Sequence, residues 1–213
     1  EKARKETFDE LAKKWDVLVR SDEFMAGIGR HRRKLIQRAQ GEVLEVAVGS
    51  GRNFSYYNGG KVTGITAVDF SRAMLEVADG KRKEIEHIPL RLKLASTHKL
   101  DFGDNSFDTV VDTFGICSFE QPVQALQEMR RVLKEDGQML LLEHGASKWE
   151  FVQSMLNRGI HRHVEKYGCY ANRDISKLVR EAGLHIALEQ RSHFGTTYSL
   201  VCTKTPLVQE ESE

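Results

Sequence analysis

Cysteine is scarce in this chain of 213 residues: Cys117, Cys169 and Cys202 are its three, and they stand far apart. That spacing makes neither a metal-ligand motif nor a disulfide framework, so no metal is expected and a reducing compartment is. Long apolar runs are missing too; none approaches the roughly 18 residues of a membrane span. Nor is one sign of charge in excess. The 32 Lys and Arg and 31 Asp and Glu leave a net +1, which removes the general electrostatic case for a nucleic-acid partner. Internal repeats and low-complexity linkers are absent. The length suffices for one domain with a sizeable core, and 40% hydrophobic with 30% charged residues is the balance of a globular protein. The chain opens at Glu1 and not at Met, as expected where an N-terminal segment (signal, transit peptide or anchor) has been removed.

The small net charge is unevenly spread. Arg30-His31-Arg32-Arg33-Lys34, with Arg38 beyond, is basic, and Glu210-Glu211-Ser212-Glu213 is acidic. The basic run reads as a solvated helix face. Two sharper readings are a membrane-surface contact with anionic headgroups through Arg30, Arg32, Arg33 and Lys34, or attraction to RNA.

Along the chain, residues 6–39 pattern as two amphipathic helices, one carrying Phe8, Leu11, Ala12 and Trp15, the other Ile28, Leu35 and Ile36. Strand and helix signals then alternate. Strands are predicted at 43–48, 62–68, 90–95, 107–112, 139–143, 185–191 and 196–203. Helices are predicted at 71–86 with Ser71 as N-cap, at 121–133 closed by Asp136-Gly137, at 149–165 and at 174–182. Phe151, Met155 and Leu156 recur at helical spacing and read as core, with the lining of an apolar substrate channel as the alternative. The short link before the last strand predicts an antiparallel hairpin. The sum is an α/β fold: a mostly parallel sheet, helices on both faces, and an antiparallel edge. Ligands in such sheets bind beyond the carboxyl ends of the strands. The turn at Gly49, Asp69, the Ser96–His98 loop and the Asp112–Cys117 loop should therefore border one crevice.

The densest signal is Glu45-Val46-Ala47-Val48-Gly49-Ser50-Gly51-Arg52-Asn53, followed by Val68-Asp69. It reads as a buried strand, a glycine turn and a second strand ending in an acid, the layout that holds an adenosine moiety. Here again an absence decides. A dinucleotide site needs a third glycine where this chain has Phe54, so the dinucleotide fingerprint fails. Glu45 ahead of the turn would repel phosphates and suits a cationic ligand. S-adenosylmethionine, with its sulfonium and ammonium groups, meets that description.

The segments LEVAVGSGRN, AVDFSRAMLEVA, KLDFGDNSFDTVVDTFGICSF and EMRRVLKEDGQMLLLEH resemble those of class I S-adenosylmethionine-dependent methyltransferases over nearly the whole length. Asp69-Phe70-Ser71-Arg72-Ala73-Met74-Leu75 and FDELAKKWD resemble the quinone-methylating branch. The G-x-N-F, C-S and E-H signatures resemble the alkyl-thiol methyltransferase-like branch, and MAGIGRHRRKL with VAVGSGRNFSYY a mitochondrial inner-membrane methyltransferase-like branch. The resemblance implies a three-layer Rossmann-like sandwich of seven strands in the order 3-2-1-4-5-7-6, the last antiparallel. A helical cap at 1–40 belongs to the same domain, the methyltransferase domain spans 41–205, and an acidic tail covers 206–213. It implies S-adenosylmethionine as cofactor and S-adenosylhomocysteine as product. Glu45, Val46, Ala47, Gly49, Gly51 and Asn53 would lie by the methionine part, with Trp15 closing over the cofactor or anchoring its helix. Asp69 would take the ribose hydroxyls. Phe70 and Met74 would line the adenine side, and Ser96, Thr97 and His98 would follow, with Ser96 where the family often has an aspartate. Asp112, Thr113 and Phe114 would lie next to the sulfonium.

Methyl transfer is an in-line displacement in which the protein aligns the partners and excludes water. An oxygen acceptor needs a base more than a thiol does. His144, at the end of the fifth strand, is the best-placed candidate for catalysis; its other reading is a hydrogen-bonded histidine with no part in proton transfer. His161, His163, Tyr167 and Tyr170 follow. His161 and His163, two apart, would not share a helix face, which argues against a metal pair. Cys117 and Cys169 read as small core residues. The leading function is methyl transfer to a small lipophilic acceptor such as a quinone precursor, thiol or phospholipid. Alternatives are an assembly factor on the same fold with weak or lost catalysis, and an RNA methyltransferase. An NAD-dependent oxidoreductase is disfavoured by Phe54. The expected location is mitochondrial or membrane-associated, with cytoplasm as alternative.

Overall fold

Val43, Leu44, Val46, Val110, Val111 and Leu140–Leu142 are all buried, and these apolar runs form the centre of a seven-stranded sheet. Strands covered on both faces carry such uninterrupted runs because neither side of the pleat meets water. The computed structural model describes residues 2–206. The tail Glu210–Glu213 lies outside the described residues.

Three helices, α1 (Lys2–Leu11), α2 (Trp15–Met25) and α3 (Ile28–Ile36), precede β1 (Gly41–Val46). Then come β2 (Val62–Asp69), α4 (Arg72–Asp79), β3 (Leu90–Leu94), β4 (Phe107–Thr113), α5 (Pro122–Val132), β5 (Leu133–His144), α6 (Glu150–Tyr167), α7 (Ile175–Glu181), β6 (His185–Ser192) and β7 (Thr197–Thr203). The strand order is β3-β2-β1-β4-β5-β7-β6, as expected. β7 runs antiparallel to both neighbours, and the other pairs are parallel. One apolar cluster packs Leu126, Met129, Ile175 and Val179 against one face of the sheet; a second packs Ile28, Leu35, Ile36 and Phe54 against the other. Together they make a three-layer Rossmann-like sandwich.

Several local expectations are corrected. The N-terminal region forms three helices and not two, because a 3-10 turn over Ala12–Lys14 divides the first into α1 and α2; Gly27, with a left-handed φ of 62°, breaks the run between α2 and α3. The helix that begins after Ser71 stops at Asp79, and a 3-10 turn over Arg82–Ile85 follows. Ser71 does cap α4: its Oγ accepts the Met74 N–H. α5 ends at Val132, short of Asp136-Gly137. Those two residues lie inside β5, where the register with β4 jumps from Phe107↔Leu133 to Thr109↔Gln138. Phe151 and Met155 are not core: they are 72% and 53% exposed, and α6 has no buried residue among those described.

Arg32 is the sharpest departure. Expected on a basic exposed face, it is 3% exposed, while Arg30, Arg33 and Lys34 around it are exposed. Its guanidinium donates to Asn53 Oδ1 at 2.7 Å, Thr113 Oγ1 at 2.8 Å and Glu23 Oε1 at 2.9 Å. A buried guanidinium needs such partners to offset lost hydration, so Arg32 offers nothing to a membrane or to RNA.

Candidate active site

At the carboxyl ends of β1, β2, β4 and β5, under α1 and α2, lies a cavity of about 560 Å³. Of the residues expected there, Trp15, Ala47, Gly49, Asp69, Phe70, Met74, Ser96, Thr97, His98, Thr113, Phe114 and His144 line it. Glu45, Val46, Gly51, Asn53 and Asp112 do not: Val46 is buried in the apolar core, and the packing around the other four gives the reason.

The turn after β1 is strained. Ala47 adopts φ 48° and Gly49 φ 54°. An alanine there costs about 1 kcal/mol relative to glycine. A Cβ on Gly49 would meet only the Ala47 carbonyl, at 3.9 Å, so this glycine opens onto free space. Gly51 differs: a Cβ there would lie 2.6 Å from the Phe54 ring. Phe54 is fully buried and fills the space above Gly51. Gly51 is thus required by packing, and not by ligand approach.

Glu45 points away from the cavity. Its carboxylate accepts from Asn53 Nδ2 at 2.8 Å and Tyr57 OH at 2.7 Å, and burial raises its pKa to about 7. Asn53 in turn receives from Arg32 and donates to Thr113 Oγ1 at 3.1 Å. Glu45 therefore anchors the turn from below and does not line the cavity. Asp112, fully buried, sits beneath Gly115, where Oδ2 accepts the Ile116 N–H at 3.0 Å. Burial raises the pKa of Asp112 to about 7, and burial with the charge of Asp112 beside it raises that of Glu143 well above the usual carboxylate range; two close buried carboxyls hold a proton between them.

Asp69 does reach the cavity. Its Oδ2 accepts the Gly49 N–H at 2.8 Å, its Oδ1 the Ser71 N–H at 2.9 Å, and burial lifts its pKa to about 6. Phe70 and Met74 form an apolar wall beside it. Ser96 Oγ lies 3.3 Å from His98 Nδ1. Above, Phe8 stacks edge-on against Trp15 at 5.5 Å and Phe70 at 5.9 Å. Trp15 thus faces the cavity and packs against Phe8 of α1.

The cap is fastened by charge. Asp16 accepts from Ser50 Oγ at 2.6 Å and pairs with Arg52 at 3.1 Å and with Lys81. Glu23 is shared between Arg52 and Arg32. Arg4, on α1, donates to the Ser118 carbonyl and pairs with Glu120 at 3.5 Å. Sequence patterns did not reveal these partners, because groups meeting across 9 or more positions leave no periodic trace.

At the far end the cavity is walled by Phe114, His144, His163, Tyr167 and Cys169. His144 Nε2 lies 3.2 Å from Cys169 Sγ, and His163 Nε2 lies 3.1 Å from the same sulfur. His161 is exposed, and neither it nor Tyr170 lines the cavity.

Comparison with known proteins gives the same picture. A methyltransferase domain family matches residues 44–141. The chain is 30% identical over 224 residues to "Methyltransferase OMS1, mitochondrial" of Saccharomyces cerevisiae, covering 97% of this chain and 47% of that protein. It is 36% identical over 141 residues to a demethylmenaquinone methyltransferase of Renibacterium salmoninarum, covering 64% of this chain and 56% of that one. The chain thus spans about half the length of these curated relatives. A solved S-adenosylmethionine-dependent methyltransferase from Thermotoga maritima shares the fold with a TM-score of 0.69 at 18% identity, covering 95% of this chain and 100% of that one. With the strand order, the glycine turn and the acid ending β2, these matches place the chain in the class I S-adenosylmethionine-dependent methyltransferase superfamily.

Proposed function

We propose that this domain transfers a methyl group from S-adenosylmethionine to a small lipophilic acceptor. One observation carries the reading: a single cavity joins the Gly49 turn and Asp69 at one end to an apolar and imidazole-bearing wall, Phe114, His144, His163 and Tyr167, at the other.

The residues present fit the donor. The open space over Gly49 admits a ligand against the backbone, and Asp69, already oriented by two N–H groups, keeps lone pairs for ribose hydroxyls. Phe70 and Met74 offer an apolar surface to a purine. Ser96, in place of an acid, accepts a weaker hydrogen bond at the adenine edge. Bound S-adenosylmethionine supplies an electrophilic methyl group on a good leaving group. The chain's own task is alignment and exclusion of water. Phe8 and Trp15 roof the donor end. Thr113 and Phe114, both lining the cavity at the end of β4, are held there by Arg32. His144 is the protein group best placed to take a proton from an acceptor.

The quinone and phospholipid names among the relatives support a lipophilic acceptor of that kind, and the mitochondrial relative supports a mitochondrial location. None of the described helices is long and apolar enough to cross a membrane. Contact with an anionic membrane surface through Arg30, Arg33 and Lys34 remains part of the proposal; the exposed Phe24 and Met25 nearby would add apolar contact.

Calorimetric titration with S-adenosylmethionine tests the reading. The folded protein should bind, and Asp69→Ala should weaken binding about 10- to 100-fold, the worth of hydrogen bonds to a charged acceptor. Absence of binding to folded wild-type protein would overturn it.

A further inference from the structure

Two cysteines that looked isolated in the sequence meet in the fold. Cys117 follows β4, His144 ends β5, and Cys169 follows the C-terminal cap of α6. Their ligand atoms, two Sγ and one imidazole nitrogen, lie within 4.8 Å of one another. Both cysteines are reduced and buried. We propose that Cys117, His144 and Cys169 bind one borderline-soft divalent cation of the Zn²⁺ type, with the fourth coordination position facing the cavity; in the loaded protein His144 is a ligand and not a base, so its part as proton acceptor belongs to the metal-free protein.

The donor set and its spacing favour this. Two thiolates and an imidazole match zinc, and three protein ligands with an open fourth position is a known zinc arrangement. Tetrahedral zinc, with bonds of about 2.3 Å to sulfur and 2.0–2.1 Å to nitrogen, sets ligand edges of about 3.6 Å for S···N and 3.8 Å for S···S. The Cys169 Sγ to His144 Nε2 distance, 3.2 Å, is close to the first, and small side-chain rotations would bring the three atoms onto one centre.

The surroundings also suit a charged sulfur. His163 stands outside the three-residue group, yet its Nε2 lies 3.1 Å from Cys169 Sγ, where an N–H would donate to a thiolate and fix its direction. The Cys117 sulfur lies 3.4 Å from the Phe114 carbonyl, a weak contact that metal binding would replace. Arg173, held by the Ile116 and Phe119 carbonyls, is near both sulfurs. Two thiolates and a dication sum to zero, so this guanidinium does not oppose the site. A Cys117–Cys169 disulfide is a weaker reading, because it would leave two imidazole nitrogens facing a sulfur with no proton to share. His161 and His163 are not among the three members of the cluster. Loading would release the two thiol protons, so affinity should rise with pH.

The test uses reduced wild-type protein freed of metal, titrated with Co²⁺ and, in competition with a chromogenic chelator, with Zn²⁺. One equivalent should bind, and Co²⁺ should give thiolate-to-cobalt charge-transfer absorption with visible bands of tetrahedral intensity. Cys117→Ser, Cys169→Ser and His144→Ala should each weaken binding more than 100-fold. His163→Ala should weaken it about 10- to 100-fold, as loss of a supporting hydrogen bond does. Cys202→Ser and His161→Ala should change nothing. Absence of stoichiometric binding to folded wild-type protein, or unchanged binding in a folded Cys117→Ser/Cys169→Ser variant, would overturn the proposal. The wild-type spectrum decides even if the variants do not fold. Donor binding is measured separately on the metal-free protein, so this site can fail without the methyl-transfer reading, and the reverse.

Discussion

The backbone N–H of Gly49 donates to Asp69 Oδ2 at 2.8 Å, tying the turn after β1 to the acid that ends β2. The Ser71 N–H holds the other oxygen, so the carboxylate is fixed before any ligand arrives. Two signals 20 positions apart in the chain are one structural unit at the cavity wall.

The pH dependence of donor binding follows from that carboxylate. Burial raises the Asp69 pKa to about 6. Above that value it is an anionic acceptor; below, it carries a proton. Affinity for S-adenosylmethionine should therefore fall as pH is lowered through about 6. The wild-type decline should be missing in Asp69→Asn, whose affinity should be uniformly low. Calorimetry from about pH 5 to 8 checks both; a flat wild-type profile would contradict the assigned role.

Stability should run the other way. Burial lifts Glu45 to about 7 and Asp69 to about 6, from ordinary values of 4.5 and 3.8. Between about pH 4 and 7 the folded chain binds protons that the unfolded chain has released, so stability rises as pH falls through this window. Below it, acids whose pKa is lowered, such as Asp9 by its Lys5 partner and Glu128 by Arg131, protonate and reverse the trend. Thermal melts should show a higher Tm near pH 5.5 than near pH 8, by on the order of 5 °C. A Glu45→Gln variant should show a smaller rise.

The two glycines of the turn should respond differently to alanine. Gly51→Ala drives a Cβ to 2.6 Å from the buried Phe54 ring at φ 75° and should destabilise by about 2–4 kcal/mol. Gly49→Ala meets no clash, and its strain at φ 54° should cost about 1 kcal/mol. Its methyl would enter the space assigned to the donor, so the larger effect should be on binding. Chemical denaturation and calorimetry on both variants separate the two effects.

Within the basic run, position should matter more than charge. Arg32→Ala removes the donor to Asn53 Oδ1 and Thr113 Oγ1 in a buried setting, leaves Glu23 to Arg52 alone, and should cost about 3–5 kcal/mol. Arg33→Ala, on the exposed face, should change stability by less than about 0.5 kcal/mol. Replacing Arg30, Arg33 and Lys34 together by glutamine should leave the fold intact and reduce sedimentation with anionic vesicles, an effect that added salt should mimic in wild-type protein.

The sequence by itself determined the succession of strands and helices, the glycine turn and the acid that ends β2, because these rest on local signals: buried apolar runs, residues that tolerate positive φ, and fixed spacing within one βαβ unit; the strand order and the family followed from the resemblance of whole segments. It did not decide which motif residues face the cavity. Glu45 and Gly51 sit inside the motif yet serve Tyr57, Asn53 and Phe54, since a strand's alternation and a turn's packing are settled by neighbours from elsewhere in the chain. Only the tertiary structure buried Arg32 against Glu23, Asn53 and Thr113, and only it drew Cys117, His144 and Cys169 together from three separate segments. Long-range pairs of this kind have no period and no spacing rule. Their chemistry exists only once the sheet has fixed the ends of β4 and β5 side by side.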